Sequence, residues 1–567
     1  MQVASTEKFL AKLLAFTGAF TTIFLISGSV TDPVNTPKML AIGVLSSAAI
    51  ATVATSKLRN ILLSYKILLS IFLVFFIAIF ISSVASKAPL TQVLYGSYGR
   101  NNGVLTYVFL SFVLLSALCL NSRHGFVYIV NGLLVAGIIN LAYGLWVMLF
   151  GDFVGWENPY KSILGTFGNP NFIGAFLGII FSATVAILLD QKSAKLIRYS
   201  ALAILPICVI EILNTNAIQG RVVAAFGTAI VIFLFVRSKF GNWVLIGYST
   251  FSLIAGLLAL AGAFQIGPLT QFIYKTSVSL RGQYWLAGWN TGQEHPFTGV
   301  GMDSFGDWYR RMRDAQALEL PGVNTVVNAA HNVPLDIFAF GGWPLFVSYL
   351  LVMGYAGLSI IKLIRRVKDF DLITAIFVSG WAGYQLQSII SINQIGLAIW
   401  GWMLSGAVIA YERVTVNSAR EIQIEGNREN NLKLKKKSTL PAQVPLYATI
   451  GGVIGLLIAI PPVAADAKWR SSMKVMTLPA LEETMKISYF NPPNSMKYLR
   501  NIETLEQSNL NDLSRKYALE AVKWNSDVFD LWKILYFIKN STTDEKALAL
   551  ENMKRLDPLN PDVTSIQ

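Results

Sequence analysis

The run Ile67-Leu68-Leu69-Ser70-Ile71-Phe72-Leu73-Val74-Phe75-Phe76-Ile77-Ala78-Ile79-Phe80-Ile81 lies within an apolar stretch covering about 62–83. A helix of that length, rising 1.5 Å per residue, crosses a hydrocarbon core about 30 Å thick. Comparable runs lie at about 9–29, 38–55, 104–120, 124–150, 171–189, 198–213, 221–237, 241–264, 332–361, 371–390, 396–412 and 445–465, which makes about thirteen spans. Across the 567 residues 54% are apolar and 14% charged, against about a quarter charged in soluble domains. The expected fold is therefore all-α: a polytopic membrane helix bundle of about twelve core spans plus one extra anchor helix.

With the N-terminus cytoplasmic, alternate connections carry Lys57/Arg59, Arg123, Lys192/Lys195/Arg198, Arg237/Lys239, Lys362/Arg365/Arg366/Lys368 and the Lys433, Lys435, Lys436, Lys437 run. All fall on one side, as the positive-inside rule requires. The net charge of +14 is thus a matter of membrane orientation, and membrane lipids rather than nucleic acid are the expected surroundings. Lys8 and Lys12 precede an apolar run without a small-residue cleavage site, so the first helix is expected to be retained. Cys119 and Cys208 sit in apolar stretches without CxxC spacing or neighbouring histidines, which indicates neither a metal site nor a disulfide.

The expected division is a membrane core, 1–412, with a large outer loop at 265–331; a cytoplasmic basic linker, 413–444; an additional transmembrane helix, 445–465; and a small extracytoplasmic helical domain, 466–567. In the tail, Tyr517, Ala518, Ala521 and Trp524 precede Asn525-Ser526-Asp527, and Leu556-Asp557-Pro558-Leu559-Asn560 closes a later segment. Small residues at helix crossings and a period near the mid-thirties resemble degenerate tetratricopeptide hairpins. An irregular helical tail is the alternative. Either needs several hairpins, or packing on the membrane core, to bury its apolar faces.

Unusual polar residues gather on the side opposite the basic connections. Tyr98-Gly99-Arg100-Asn101-Asn102-Gly103 offers a planar guanidinium beside glycines that let backbone approach a ligand; an interface-anchoring arginine in a surface turn is the plainer reading. Gly168-Asn169-Pro170-Asn171 reads as a helix cap, with Asn171 expected to accept the first free N–H groups. Beside a cavity, such a cap could orient a sugar. Arg221 opens an apolar helix at membrane depth, where an unpaired charge costs at least ~2 kcal/mol, so it should have an anionic partner, and Glu211 is the nearest candidate. The large loop carries Arg281, Trp285 and His295-Pro296, and ends at Ala330-His331-Asn332. An imidazole there suits a general base that activates an acceptor hydroxyl, and the arginines suit a departing phosphate.

Taken in order, Tyr98-Gly99-Arg100-x-x-Gly103, Gly168-Asn169-Pro170-Asn171, Gln219-Gly220-Arg221, Arg281-x-x-x-Trp285, His295-Pro296-x-x-Gly299-x-Gly301 and Ala330-His331-Asn332 resemble the O-antigen ligase/O-antigen polymerase superfamily over about 94–412. The resemblance implies a glycosyltransferase that needs no metal or other cofactor and uses an undecaprenyl-diphosphate-linked glycan as donor. Its acceptor would be a lipid A-core sugar, another lipid-linked repeat or a protein hydroxyl. It also implies catalytic roles for His331, Arg281 and Arg221 and a donor contact for Arg100; Asn169, Asn171, His295 and Asn332, in the same outer loops, are expected substrate contacts. The thirteenth helix and the tail depart from simple ligases, which weakens a lipopolysaccharide acceptor and leaves room for a protein partner bound by the tail.

Two readings of other classes compete. A lipid-linked glycan flippase also needs many spans and cations, but transporters place polar groups near the bilayer midplane and show inverted repeats, whereas these clusters lie at one face. An assembly scaffold leaves the arginines and His331 without a role.

Overall fold

The computed structural model describes residues 2–425 and 439–566. Among these the chain is all-α; the extended pairing is limited to one isolated bridge between Ser488 and Asn491. Each of the thirteen apolar runs coincides with a helix. Ten of those helices are long and apolar enough to cross a membrane. Gln2–Ile23, Val104–Ala117 and Leu372–Ile389 fall outside that set. The Lys433, Lys435, Lys436, Lys437 run lies outside the described residues. The stretch read as a linker from 413 begins as helix, because Ile395–Glu425 continues through it.

Val104–Ala117 has only 14 residues, and its neighbourhood explains how so short a helix can sit at depth. Tyr107, Phe109, Leu110, Val113 and Leu114 are almost wholly buried. A backbone end inside a bundle is tolerated when protein, not lipid, surrounds it. Asn102, just before this helix, donates to the Asn393 carbonyl at 2.7 Å and accepts from the Asn393 amide at 3.1 Å. Asn393 stands in the break between Leu372–Ile389 and Ile395–Glu425. Two interrupted segments therefore satisfy each other's polar groups in the interior.

The last membrane helix, Gln443–Val475, is part of the core and not a separate anchor. It packs along Asn35–Ala54, and the crossing is made of small residues. A Cβ on Gly455 would fall 2.2 Å from the Gly43 carbonyl oxygen, and one on Gly451 would fall 2.6 Å from that of Ser47. In lipid such close backbone approach, by way of dispersion contacts, is the main source of helix association.

Val333–Arg366 bends at Gly341 and Gly342. The freed backbone groups are taken up by the loop from Pro296 to Gly301: Trp343 donates to the Pro296 carbonyl at 2.7 Å, Val300 to Ala339 at 3.0 Å and Gly301 to Phe340 at 3.1 Å. This clasp places the long loop 265–331 on the end of the bundle where the 96–103 loop also lies. Within that loop, Thr276–Glu294 runs beside the start of Val333–Arg366, and Phe305–Met312 follows.

The tail has its own apolar centre, including Ile502, Leu505, Ala518, Ala521, Leu531, Leu535, Ala549 and Leu556. Ser495–Gln507 and Asn511–Trp524 form one helical pair, and Phe529–Phe537 and Thr543–Leu556 form the next, starting 34 and 32 residues later. The tail also rests on the core: Asp557 takes the guanidiniums of Arg310 and Arg313 at 2.9 and 2.6 Å.

Candidate functional site

His331 lies two residues before Val333–Arg366, with φ at 56°, a left-handed backbone uncommon outside glycine, though histidine, like Asn and Asp, enters it more readily than most. The local sequence holds it there. Asn332 caps the helix by accepting from the Leu335 amide at 3.1 Å. Asp336, one turn in, accepts from the Ala330 amide at 2.6 Å. The peptide carrying His331 is thus fixed on both sides, and such an outlier, where its surroundings hold it so firmly, points to function.

Thr276–Glu294 presents Arg281, Tyr284 and Trp285 to this histidine. Residues three and four apart share a helix face, and the Tyr284 ring lies 5.4 Å from the imidazole, tilted by 33°. Trp285 Nε1 donates to the His331 carbonyl at 3.5 Å. The helix can come this near because Gly288 faces Ala330, where a Cβ would fall 2.9 Å from the alanine methyl. Arg281 bonds only to its own helix, to the carbonyl and hydroxyl of Ser277 at 3.3 and 3.5 Å, and its Nε has no partner.

Arg100 comes from the 96–103 loop and is held there by two carboxylates. Asp303 accepts from the backbone amides of Ser97 at 2.8 Å and Asn102 at 3.1 Å, while Asp466 accepts from the Tyr98 hydroxyl at 2.7 Å. Gly96, with φ at 84°, is required: a Cβ there would stand 2.5 Å from both Asp303 Oδ2 and the Asn102 nitrogen. The guanidinium of Arg100 feels Asp303 and Asp336 but forms no salt bridge within 4 Å among the described residues.

These groups act on one another. Burial first, and then the charges of Arg100 and Arg281, push the His331 imidazole down to about 3, so it is neutral and unprotonated at neutral pH. Burial pushes the Asp303 carboxyl up to about 7, against the amides of Asn102 and Ser97 and the charge of Arg100. Two cations that form no salt bridge among the described residues therefore lie within electrostatic reach of a neutral ring nitrogen base. That arrangement favours an anion beside the guanidiniums.

Arg100, Arg281, His331 and Asn332 come together. The other residues singled out in the sequence make no direct bond to this group among the described residues. Arg221 is exposed on Ile218–Lys239 with no contact to His331. Its expected partner Glu211 turns instead toward Gly144, its carboxylate unpaired. The two loops are still neighbours, since Lys275, next to the Arg281 helix, donates to the Asn216 carbonyl at 2.7 Å. Asn169, and not Asn171, is the cap of Pro170–Leu189, accepting from the Asn171 amide at 2.9 Å. Its own amide reaches the Tyr160 hydroxyl at 3.3 Å, and Tyr160 lies within electrostatic reach of Arg100. His295 caps the C-terminus of the Arg281 helix, just beyond Glu294, packed edge-on against Trp308 at 4.6 Å. Fourteen residues of helix put it about 21 Å from Arg281, and its motif builds the clasp on the Gly341–Gly342 bend.

Sequence reading missed Asp303, Asp336 and Asp466, which orient the site, and Tyr284, whose ring packs against its histidine. A carboxylate two residues after the glycines of 299–301 was the one available signal for Asp303.

No curated protein matches the chain. Residues 173–350 match the family model described as O-antigen ligase, a stretch that contains Arg221, Arg281, His295 and His331 but not Arg100, and this match identifies that part of the membrane core as an O-antigen ligase domain of the kind that transfers glycans.

Proposed function

We propose that the chain transfers a glycan from an undecaprenyl-diphosphate donor to an acceptor hydroxyl at the outer face of the bacterial inner membrane, in the manner of an O-antigen ligase. The observation that carries this is a buried, neutral His331 within electrostatic reach of two guanidiniums, Arg100 and Arg281, neither of which has a salt bridge among the described residues. His331 takes the acceptor hydroxyl proton, the oxygen attacks the anomeric carbon, and the bond from that carbon to phosphate oxygen breaks with its electron pair on the diphosphate. Arginines preorganised at the leaving group stabilise charge that grows only in the transition state. Attack from the side opposite the phosphate inverts the anomeric carbon. This reading places no metal in the reaction.

Order of binding follows from the electrostatics. With no anion present, His331 is a weak base, because burial first and then two cations oppose its protonation. A diphosphate beside those cations removes the second of these causes and raises the imidazole from its depressed value, toward the range where general-base action is most efficient. The donor therefore activates the base.

Polymerisation of lipid-linked repeats, or glycosylation of a protein hydroxyl, is the second reading. The tail favours it, because the Asp557 junction sets a helical domain beside the loop that carries the site, where a protein acceptor or partner can dock. The test is gel analysis of surface glycans and glycoproteins in cells lacking the protein, complemented by wild type, His331→Ala or Arg281→Ala. Loss of one product in both variants, at wild-type membrane abundance, supports transfer and names the acceptor. Full restoration by both removes this site from consideration.

A further inference from the structure

The tail touches the loop that follows Asp303 through groups that seldom stay buried without partners. Asp557, from the Asp-Pro-Leu-Asn turn, is wholly buried and bonds Arg313, also wholly buried, at 2.6 Å, and Arg310, 6% exposed, at 2.9 Å. Arg310 lies over the Phe529 ring at 4.4 Å, and Arg311 pairs with Asp527 at 3.3 Å. A second contact joins the same helix to the first loop: Asn525 of the tail donates to Gln92 at 3.0 Å and to Asp307 at 3.2 Å, and Gln92 donates to Asp307 at 2.8 Å.

All of these core residues except Gln92 lie on or just after Phe305–Met312, the helix that begins two residues beyond Asp303. Asp303 in turn holds the backbone of the loop bearing Arg100. If the tail lifts, Phe305–Met312 and the residue after it lose the carboxylate that Arg310 and Arg313 share, the Phe529 ring against Arg310 and the Asn525 bond to Asp307. The helix is then held less firmly, and Asp303, two residues before it, is held less firmly with it.

Resting on the transfer reading above, we infer that the tail is part of the active unit: Asp557 and Asn525 are positioning residues that hold Phe305–Met312, and through Asp303 keep Arg100 beside His331. The tail so placed acts on the site from a distance, by docking rather than by charge.

The test uses the full chain, solubilised and in cells. Diethyl pyrocarbonate modification of His331 is read by peptide mass spectrometry, with exposed His124 as internal reference, and tail seating is read by trypsin sensitivity. Asp557→Ala should free the tail, raise the His331:His124 modification ratio at least threefold, and lower glycan transfer at least tenfold at equal membrane abundance. Asp557→Arg serves as the stronger variant where alanine leaves the tail seated. The apolar set Arg310→Met, Arg313→Met and Asp557→Leu, which replaces the charges by packing, should reseat the tail and bring both readouts back toward wild type. A freed tail with an unchanged His331 ratio overturns the inference, as does a reseated apolar variant that stays inactive. If His331→Ala still transfers glycan while the modification ratio follows the tail, the transfer reading falls and the coupling stands.

Discussion

Two arginine pairs, both on or near the same long loop, are treated in opposite ways. Arg310 and Arg313 are buried against one carboxylate, with bonds of 2.9 and 2.6 Å, and further bonds from both to the Val323 carbonyl. Arg100 and Arg281 have no carboxylate within salt-bridge distance among the described residues, and Arg281 bonds only back to Ser277 of its own helix there. The residue type is the same and the charge is the same. A cation that meets a carboxylate within the protein makes a joint; one that meets none beside a neutral base makes a place for a ligand. Arginine content therefore says little about function until the partners are known.

The largest effects should come from breaking the unpaired side of this comparison. Arg281→Ala and Arg100→Ala should each lower glycan transfer by about 10²–10³-fold, measured in complemented cells at matched membrane abundance. Arg281→Lys should recover only part of it, since an ammonium lacks the two-pronged guanidinium geometry. Wild-type transfer by Arg281→Ala would mean that the unpaired cation serves no anion. Breaking the paired side should read out in stability: Asp557→Ala, by leaving two buried cations, should destabilise the tail–core junction by ~3–5 kcal/mol, visible as a lowered unfolding temperature of the solubilised protein.

A pH series sharpens the contrast. His331 is held down to about 3 in the fold against about 6.5 unfolded, so the unfolded state takes up a proton that the folded state refuses. Stability from this group is complete above about 6.5 and falls as pH drops toward 3. Asp303, raised to about 7, works the other way, gaining stability as pH falls through that value. The difference between wild type and His331→Gln isolates the histidine: wild type should lose more unfolding temperature between pH 7.5 and 5.5, and added pyrophosphate should shrink the gap. An equal loss in both proteins would show that the imidazole is not held down in the fold. The smallest effect belongs to a plain cap: Asn169→Ala should cost about 1 kcal/mol and little transfer. A loss of transfer comparable to that of Arg281→Ala would instead make Asn169 a substrate contact.

Much of the fold was legible because lipid imposes a simple rule: every apolar run became a helix. Where the reading erred, buried neighbours had altered the rule. Val104–Ala117 stops short because protein surrounds it, and Gln443–Val475 joins the core because Gly451 and Gly455 admit Asn35–Ala54. Among candidate site residues, His331 and Arg281 stood out as polar groups at the edge of apolar runs. Arg221 and His295 stood out for the same reason, yet one is exposed without a partner and the other closes a structural clasp. Spacing along the chain could not separate these cases.

The sequence by itself determined the helices, their number of apolar runs, the concentration of polar loops at one end and the short list of cations and histidines. These follow from hydropathy and from residue chemistry, which are local. Only the tertiary structure decided which arginines meet carboxylates and which remain unpaired, because Asp303, Asp466 and Asp557 reach their partners across 201 to 368 positions of chain, and charge balance at a site is a property of what packing brings within a few ångströms.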